Sequence, residues 1–291
     1  MSNIVNLLLA GLATGAIYAL VAIGFTLLWQ TSQTINFAQG EFVMLPAFFV
    51  LAALNLKAPL WLALLIGLGA SLLVLGAMFK LIIVDPMLRH GVLPLAICTM
   101  ALSIFLKEGV KESYSAEASP FPSLFPSGNV SVLGAQISIQ SISIFVFALA
   151  AVYLLQAFLM RTSTGRQMQA TAQNPSVAKL LGIPVERMIL YTFLINAALV
   201  ALASFLVSPV YLAKFSAGET LGLSAFIAAI VGGFNQIRSA IAGGLLLGVV
   251  DNFAAAYVST QYRGAVPLFL LIAVILFRPQ GLFGRAEERT V

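Results

Sequence analysis

Gln33-Thr34-Ile35-Asn36-Phe37-Ala38-Gln39-Gly40-Glu41 leads into an apolar run, Phe42 to Leu54, that is short for a membrane crossing. Those 13 residues make about 20 Å of helix at roughly 1.5 Å per residue, against a hydrocarbon core of about 30 Å. If the run belongs to a span, part of the polar stretch lies in the bilayer as well. Its backbone and side chains cannot face lipid without unmet hydrogen bonds, so they must face protein or water. A helix interrupted in this way offers free N–H or C=O groups to a polar solute, which makes Asn36, Gln39 and Glu41 candidate residues of a solute path. The same residues also fit a turn at the membrane surface, with Asn36 or Glu41 helping to cap a tilted or shortened span.

The bilayer setting follows from composition. Of 291 residues, 60% are hydrophobic and 9% charged, and the mean hydropathy is +1.02, more apolar surface than one soluble core can hide. Apolar runs occupy Ile4 to Trp29, Phe42 to Leu54, Pro59 to Phe79, Val92 to Leu106, Ile142 to Met160, Met188 to Ala213, Leu221 to Phe234, Ala240 to Val258 and Ala265 to Phe277. The expected fold is an all-α polytopic helix bundle of eight or nine spans in a single domain over 1–291, with a broken second helix and a short external hairpin. Assigning Lys and Arg by the positive-inside rule puts ten in the cytoplasm and Lys57, Lys107, Lys111, Lys214 and Arg263 outside. That alternation makes the C-terminus cytoplasmic and the N-terminus external. No Lys or Arg precedes Lys57, so the first helix is expected to stay in the mature protein rather than leave as a signal peptide.

The external segment, about 111–140, carries Pro120, Pro122 and Pro126 and the turn-like Ser127-Gly128-Asn129, which exclude a helix. Val130 and Val132, then Ile137 and Ile139, alternate with polar residues around Gly134-Ala135 and read as a hairpin. The single cysteine, Cys98, can form no intrachain disulfide and reads as a small core residue. His90 has no second ligand near it in the sequence, so no metal site is expected. The basic residues sit in loops between spans without a stripe of interleaved aromatics, which excludes nucleic acid as a partner. No internal repeat of fixed period is evident.

Between Arg161 and Arg187 the chain is too polar to span. Asn174-Pro175 is an N-cap followed by proline at the first helical position, and Gly182 then Pro184 is a stop, which leaves a helix of about two turns. Val177, Leu180 and Leu181 form its apolar face. That face either packs under its own bundle or is presented to a soluble partner.

Three motifs now combine: Ile35 to Phe42; Gly165-Arg166 through Asn174-Pro175 to Leu181-Gly182-Ile183; and the tail Phe277-Arg278-Pro279-Gln280-Gly281-Leu282-Phe283-Gly284. In that order and spacing they resemble the permease subunits of branched-chain amino acid ABC importers, the LivH type of the LivH/LivM family, over nearly the whole chain. The resemblance implies a multi-pass permease of a bacterial or archaeal inner membrane that imports amino acids, branched-chain or other neutral ones. It implies pairing with a second permease of LivM type, two ATPase subunits that hold ATP and Mg, and an external substrate-binding protein. The coupling segment, about 162–184, would dock on the ATPase through Gly165, Arg166, Asn174, Pro175, Val177, Leu180, Leu181 and Gly182. The chain has no phosphate-binding Gly-Xaa4-Gly-Lys-Ser/Thr loop, so it is not expected to be an enzyme. Two positions depart from the pattern: many relatives carry His in place of Gln39 and an acidic residue in place of Gln173.

Asp251-Asn252 places an ionisable group within a span, where it serves the function, pairs with a neighbouring helix or lies near the outer interface. Gly11 and Gly15, and Gly232-Gly233, Gly243-Gly244 and Gly248, mark close helix packing, the second group being a candidate interface with the other permease. Trp29, Trp61 and Tyr262 end apolar runs as headgroup anchors. An ion-coupled transporter would use Glu41 and Asp251 to carry its coupling charge and would work unaided. An intramembrane enzyme would need a His-Glu-Xaa-Xaa-His or Ser-His arrangement that the sequence lacks.

Overall fold

The structure, a computed structural model, describes residues 2–114, 116–126, 128–132, 135–258 and 264–284. It is all-α apart from one hairpin, and its length and composition make it a multi-pass membrane protein. Among the described residues six helices are long and apolar enough to cross a bilayer, and three shorter apolar ones, Gln39–Asn55, Ala217–Gly232 and Ala265–Phe277, accompany them.

The chain opens with α1 (Ser2–Ser32), passes through a non-helical segment at 33–36, and enters α2 (Gln39–Asn55). Next comes α3 (Leu60–Ser71), which continues without a break as a π-helix over Leu72–Val84 and a last α-turn, α4 (Asp85–Leu88). The apolar run stops at Phe79 and the charge assignment puts Lys80 on the cytoplasmic side, yet the helix runs on through it. Lys80 pairs within that helix with Asp85, Nζ to Oδ2, at 2.8 Å, a five-residue spacing that suits the wider π turn. α5 (Val92–Tyr114) likewise outruns its apolar stretch: Lys107 and Lys111, expected in an external loop, lie on its last turns.

The strands β1 (Asn129–Val132) and β2 (Ala135–Ser138) pair antiparallel with Val130 opposite Ile137, as the alternation predicts. The turn residues 133–134, together with Ser127, Tyr262, Arg263, Arg285 and Arg289, lie outside the described residues. There follow α6 (Ile139–Arg161), α7 (Ser163–Gln173), α8 (Pro175–Leu180), α9 (Val185–Tyr211), α10 (Ala217–Gly232), α11 (Ile237–Tyr257) and α12 (Ala265–Phe277).

The core is the crossing of α1 with α9, α10 and α11. α1 and α11 meet backbone to backbone, since a Cβ at Gly15 would lie 2.8 Å from the Leu245 Cα and one at Gly244 2.6 Å from the Ala19 Cα. Close approach of small residues is what lets helices associate where lipid removes the hydrophobic drive between them. Gly232 and Gly243 do the same between α10 and α11. These glycines therefore close contacts inside the chain and do not present an interface to another permease. Two ends result. At the knuckle end lie α7, α8 and the tail, whose Leu282 N–H donates to Val231 O at 2.8 Å. The hairpin end carries β1, β2 and the end of α9, where Ala213 pairs with Ser119. Trp61 is exposed on α3, whereas Trp29 packs on Phe234. Cys98 is half-buried.

Candidate functional site

The polar stretch before α2 is folded into the bundle. Asn36 Oδ1 accepts from the Ala38 N–H at 3.0 Å, and the Phe37 N–H donates to Thr99 Oγ1 on α5 at 3.2 Å. Gln39 and Asn196, the latter near the middle of α9, exchange two amide hydrogen bonds of 2.6 and 3.1 Å. Both are fully buried. Asn36 reaches the same group through a longer contact of 3.4 Å to Gln39 Oε1. Glu41 is 3% exposed, with Ser103 beside its carboxyl group and the charges of Lys107 and Glu219 close by. Asn36, Gln39 and Glu41 thus come together, but none of them lines the two cavities at either end of the bundle.

The start of α2 is met by the start of α10. A Cβ at Gly40 would collide with the Gly218 carbonyl, and one at Gly222 would lie 2.6 Å from the Gly40 Cα. From this contact the helices run apart. α2 heads for the hairpin end, where Tyr114 Oη donates to Phe48 O at 3.0 Å. α10 heads for the knuckle end, where Trp29 meets Phe234 and Gln30 donates to Asn235 O at 2.6 Å. Two short helices therefore begin at mid-bundle, nose to nose. Their N-termini share a pattern: Phe37-Ala38-Gln39-Gly40-Glu41 and Phe215-Ser216-Ala217-Gly218-Glu219 both read Phe-Xaa-Xaa-Gly-Glu. No fixed period links them, so a search for periodic repeats passes over the one signal that pointed to Glu219. Its partner Lys107 lies where the charge pattern predicts a loop, and no local pattern links Asn196 to Gln39.

Toward the hairpin end a cavity of about 630 Å³ opens between α1, α2, α9, α10 and α11. Val43, Met44 and Leu221 supply apolar walls, while Glu219, Lys214 and Asp251 supply charge. Asp251 accepts from Tyr18 Oη at 3.1 Å, so it both pairs with a neighbouring helix and faces this cavity. Its size and mixed lining are those of a small-solute pocket. A second cavity of about 690 Å³ lies at the knuckle end, lined by Gln30, Gln156, Gln169, Gln173 and Arg238.

The knuckle itself is α7 and α8. Thr162 Oγ1 caps α7 by accepting from the Gly165 N–H at 2.9 Å, and Asn174 Oδ1 caps α8 by accepting from the Val177 N–H at 3.0 Å. Pro175 sits at the first helical position of α8, as the sequence signals, and Gly182 stops the chain at φ +78°. Gly165 is buried against Leu159, whereas Arg166 is exposed. Ala178 alone buries its side of α8. Leu180 and Leu181 are 87% and 73% exposed, and Val177 is exposed beside them. The apolar face does not pack under its own bundle.

The family described as the branched-chain amino acid transport system / permease component matches residues 7–275. The high-affinity branched-chain amino acid transport system permease protein BraD of Pseudomonas aeruginosa is 37% identical, covering 98% of this chain and 97% of its own. The corresponding LivH protein of Escherichia coli is 32% identical over 97% and 96% of the two chains. The fructose import permease protein FruG of Bifidobacterium longum is 27% identical over 84% and 74%. No solved structure matches. A match that runs through both half-length helices and the knuckle, at such identity to BraD, means that this chain belongs to the branched-chain amino acid permease family.

Proposed function

We propose that this chain is the translocation subunit of an ATP-driven importer of amino acids, branched-chain or other neutral ones, working beside a second permease. Two ATPase subunits, holding the ATP and Mg, drive it from the cytoplasm, and a binding protein outside delivers the solute. On this reading residues 1–291 form one permease domain of an inner membrane. Nine helices cross, with the polar segment and α2 sharing one crossing. The N-terminus is external, the C-terminus cytoplasmic, and the knuckle end faces inward with Lys80, Arg89, Arg161, Arg166, Lys179, Arg187, Arg238 and Arg278, in keeping with the positive-inside rule. Asn36, Gln39 and Glu41 hold the backbone of the path at mid-bundle, and residues 162–184 couple it to the ATPase.

The observation that carries this reading is the uncovered apolar surface of α8, three large side chains held out on a doubly capped knuckle. Exposed apolar clusters of this kind mark partner surfaces. Transport by the relatives named above supports the amino-acid substrate, BraD and LivH being more similar to this chain than FruG. The test is Leu181→Asp in the reconstituted assembly. Loss of a central interface contact of about 2 kcal/mol or more weakens docking by roughly 30-fold, so solute-stimulated ATPase activity and uptake should both collapse. Unchanged coupling would remove the docking role. Uphill uptake by the isolated chain would instead favour an ion-coupled transporter using Glu41 and Asp251.

A further inference from the structure

Lys107 and Glu219 form an ion pair, Nζ to Oε2, at 2.7 Å. Its depth is fixed by neighbours. Tyr114, seven residues further along α5, bonds to Phe48, which lies nine residues beyond Gln39 in α2. Lys107 is thus about 10 Å below Tyr114 at roughly 1.5 Å per residue, level with the first turn of α2. That turn is tied to Asn196 near the middle of α9. The pair therefore lies at mid-bundle, yet the Glu219 side chain is 67% exposed and that of Lys107 28%. Exposed Ile104 and Phe105 flank it on α5. A lysine can stretch toward a headgroup, but a first-turn glutamate cannot, so this surface cannot abut lipid. Glu219 also lines the 630 Å³ cavity with its apolar walls Val43, Met44 and Leu221.

We propose that Lys107 and Glu219 recognise the charged head of an α-amino acid by exchanging partners with it: the ammonium replaces Lys107 at Glu219, and the carboxylate replaces Glu219 at Lys107. The inference rests on the proposed import of amino acids and names the side chains that read the solute. A lone anion or cation would satisfy one member of the pair and leave the other without its counter-charge. A zwitterion satisfies both. The apolar side chain of the solute then lies toward Val43, Met44 and Leu221. The Phe-Xaa-Xaa-Gly-Glu turns of α2 and α10 bring the carboxylates of Glu41 and Glu219 to one place.

The test uses the complete importer in proteoliposomes, with its binding protein saturated with leucine, and reads leucine taken up per ATP hydrolysed. ATP-dependent uptake by the unaltered assembly judges the import reading by itself. Given that, Glu219→Gln and Lys107→Gln should each lower the uptake-to-hydrolysis ratio at least tenfold while the assembly and its stimulated ATPase rate persist. The charge exchange Lys107→Glu with Glu219→Lys keeps an ion pair but misplaces each charge, so it should not restore uptake. Restoration by the exchange, or an unchanged ratio in either single variant, would make the pair a structural bridge and overturn the proposal.

Discussion

The stretch from Thr34 to Glu41 and the helix α8 invert the usual rule of burial in opposite ways. In the first, Thr34, Asn36, Gln39 and Glu41 are withdrawn from solvent, while in the second Val177, Leu180 and Leu181 stand out in it. Buried polar groups demand partners, and here Gln39 and Asn36 have them: two amide bonds to Asn196 and a backbone donor for Asn36 Oδ1. Exposed apolar groups demand a partner too, and α8 finds none within the chain. The first region is satisfied within the chain. The second is incomplete and points to another subunit.

The sharpest break of this contrast is steric. Gly40→Val would drive a side chain into the Gly218 backbone, and overpacking at so tight a contact costs about 1–3 kcal/mol or more. Thermal unfolding in detergent should show the largest fall of any variant here, with transport lost. Next, Gln39→Leu strands the Asn196 amide, and interhelical hydrogen bonds in membranes contribute about 1–2 kcal/mol. The pair Gln39→Leu with Asn196→Leu should cost less than the sum of the single variants, because neither amide is then left alone. A cost equal to that sum would mean the two do not act as a unit. Asn174→Ala removes the α8 cap, worth about 1 kcal/mol locally, and should reduce coupling more than global stability. Smallest in stability, Leu180→Ser should leave unfolding within about 0.5 kcal/mol, as for surface positions generally, yet still impair ATPase coupling. A marked loss of stability there would show α8 to be packed after all.

Much of this was legible in the residues. Asn174-Pro175 and Gly182 delimit α8 because capping and stop chemistry is local, and the period-two alternation around residues 130 and 137 found the hairpin for the same reason. Charge alone misplaces the helix ends. Lys80 and Asp85 satisfy each other within a π turn, and Lys107 pairs with a residue 112 positions away. No local pattern reports such partners. The glycine spacing of α11 marks contact residues, but whether they face inward or toward another subunit depends on the packing of α1. Within the polar stretch the sequence showed that Gln39 must be shielded, and only the fold identifies Asn196 as its partner.

Because Cys98 is the only cysteine, a Cys98→Ser chain carrying Leu181→Cys offers one thiol at the tip of the knuckle. In the assembled importer that thiol should react only with reagents admitted to the cytoplasmic side. A short bifunctional reagent should join it to the ATPase subunit, and the cross-link should block transport. Labelling from outside the cell, or full transport with no cross-link to the ATPase, would contradict the division of work between a passage in this chain and a motor beneath it.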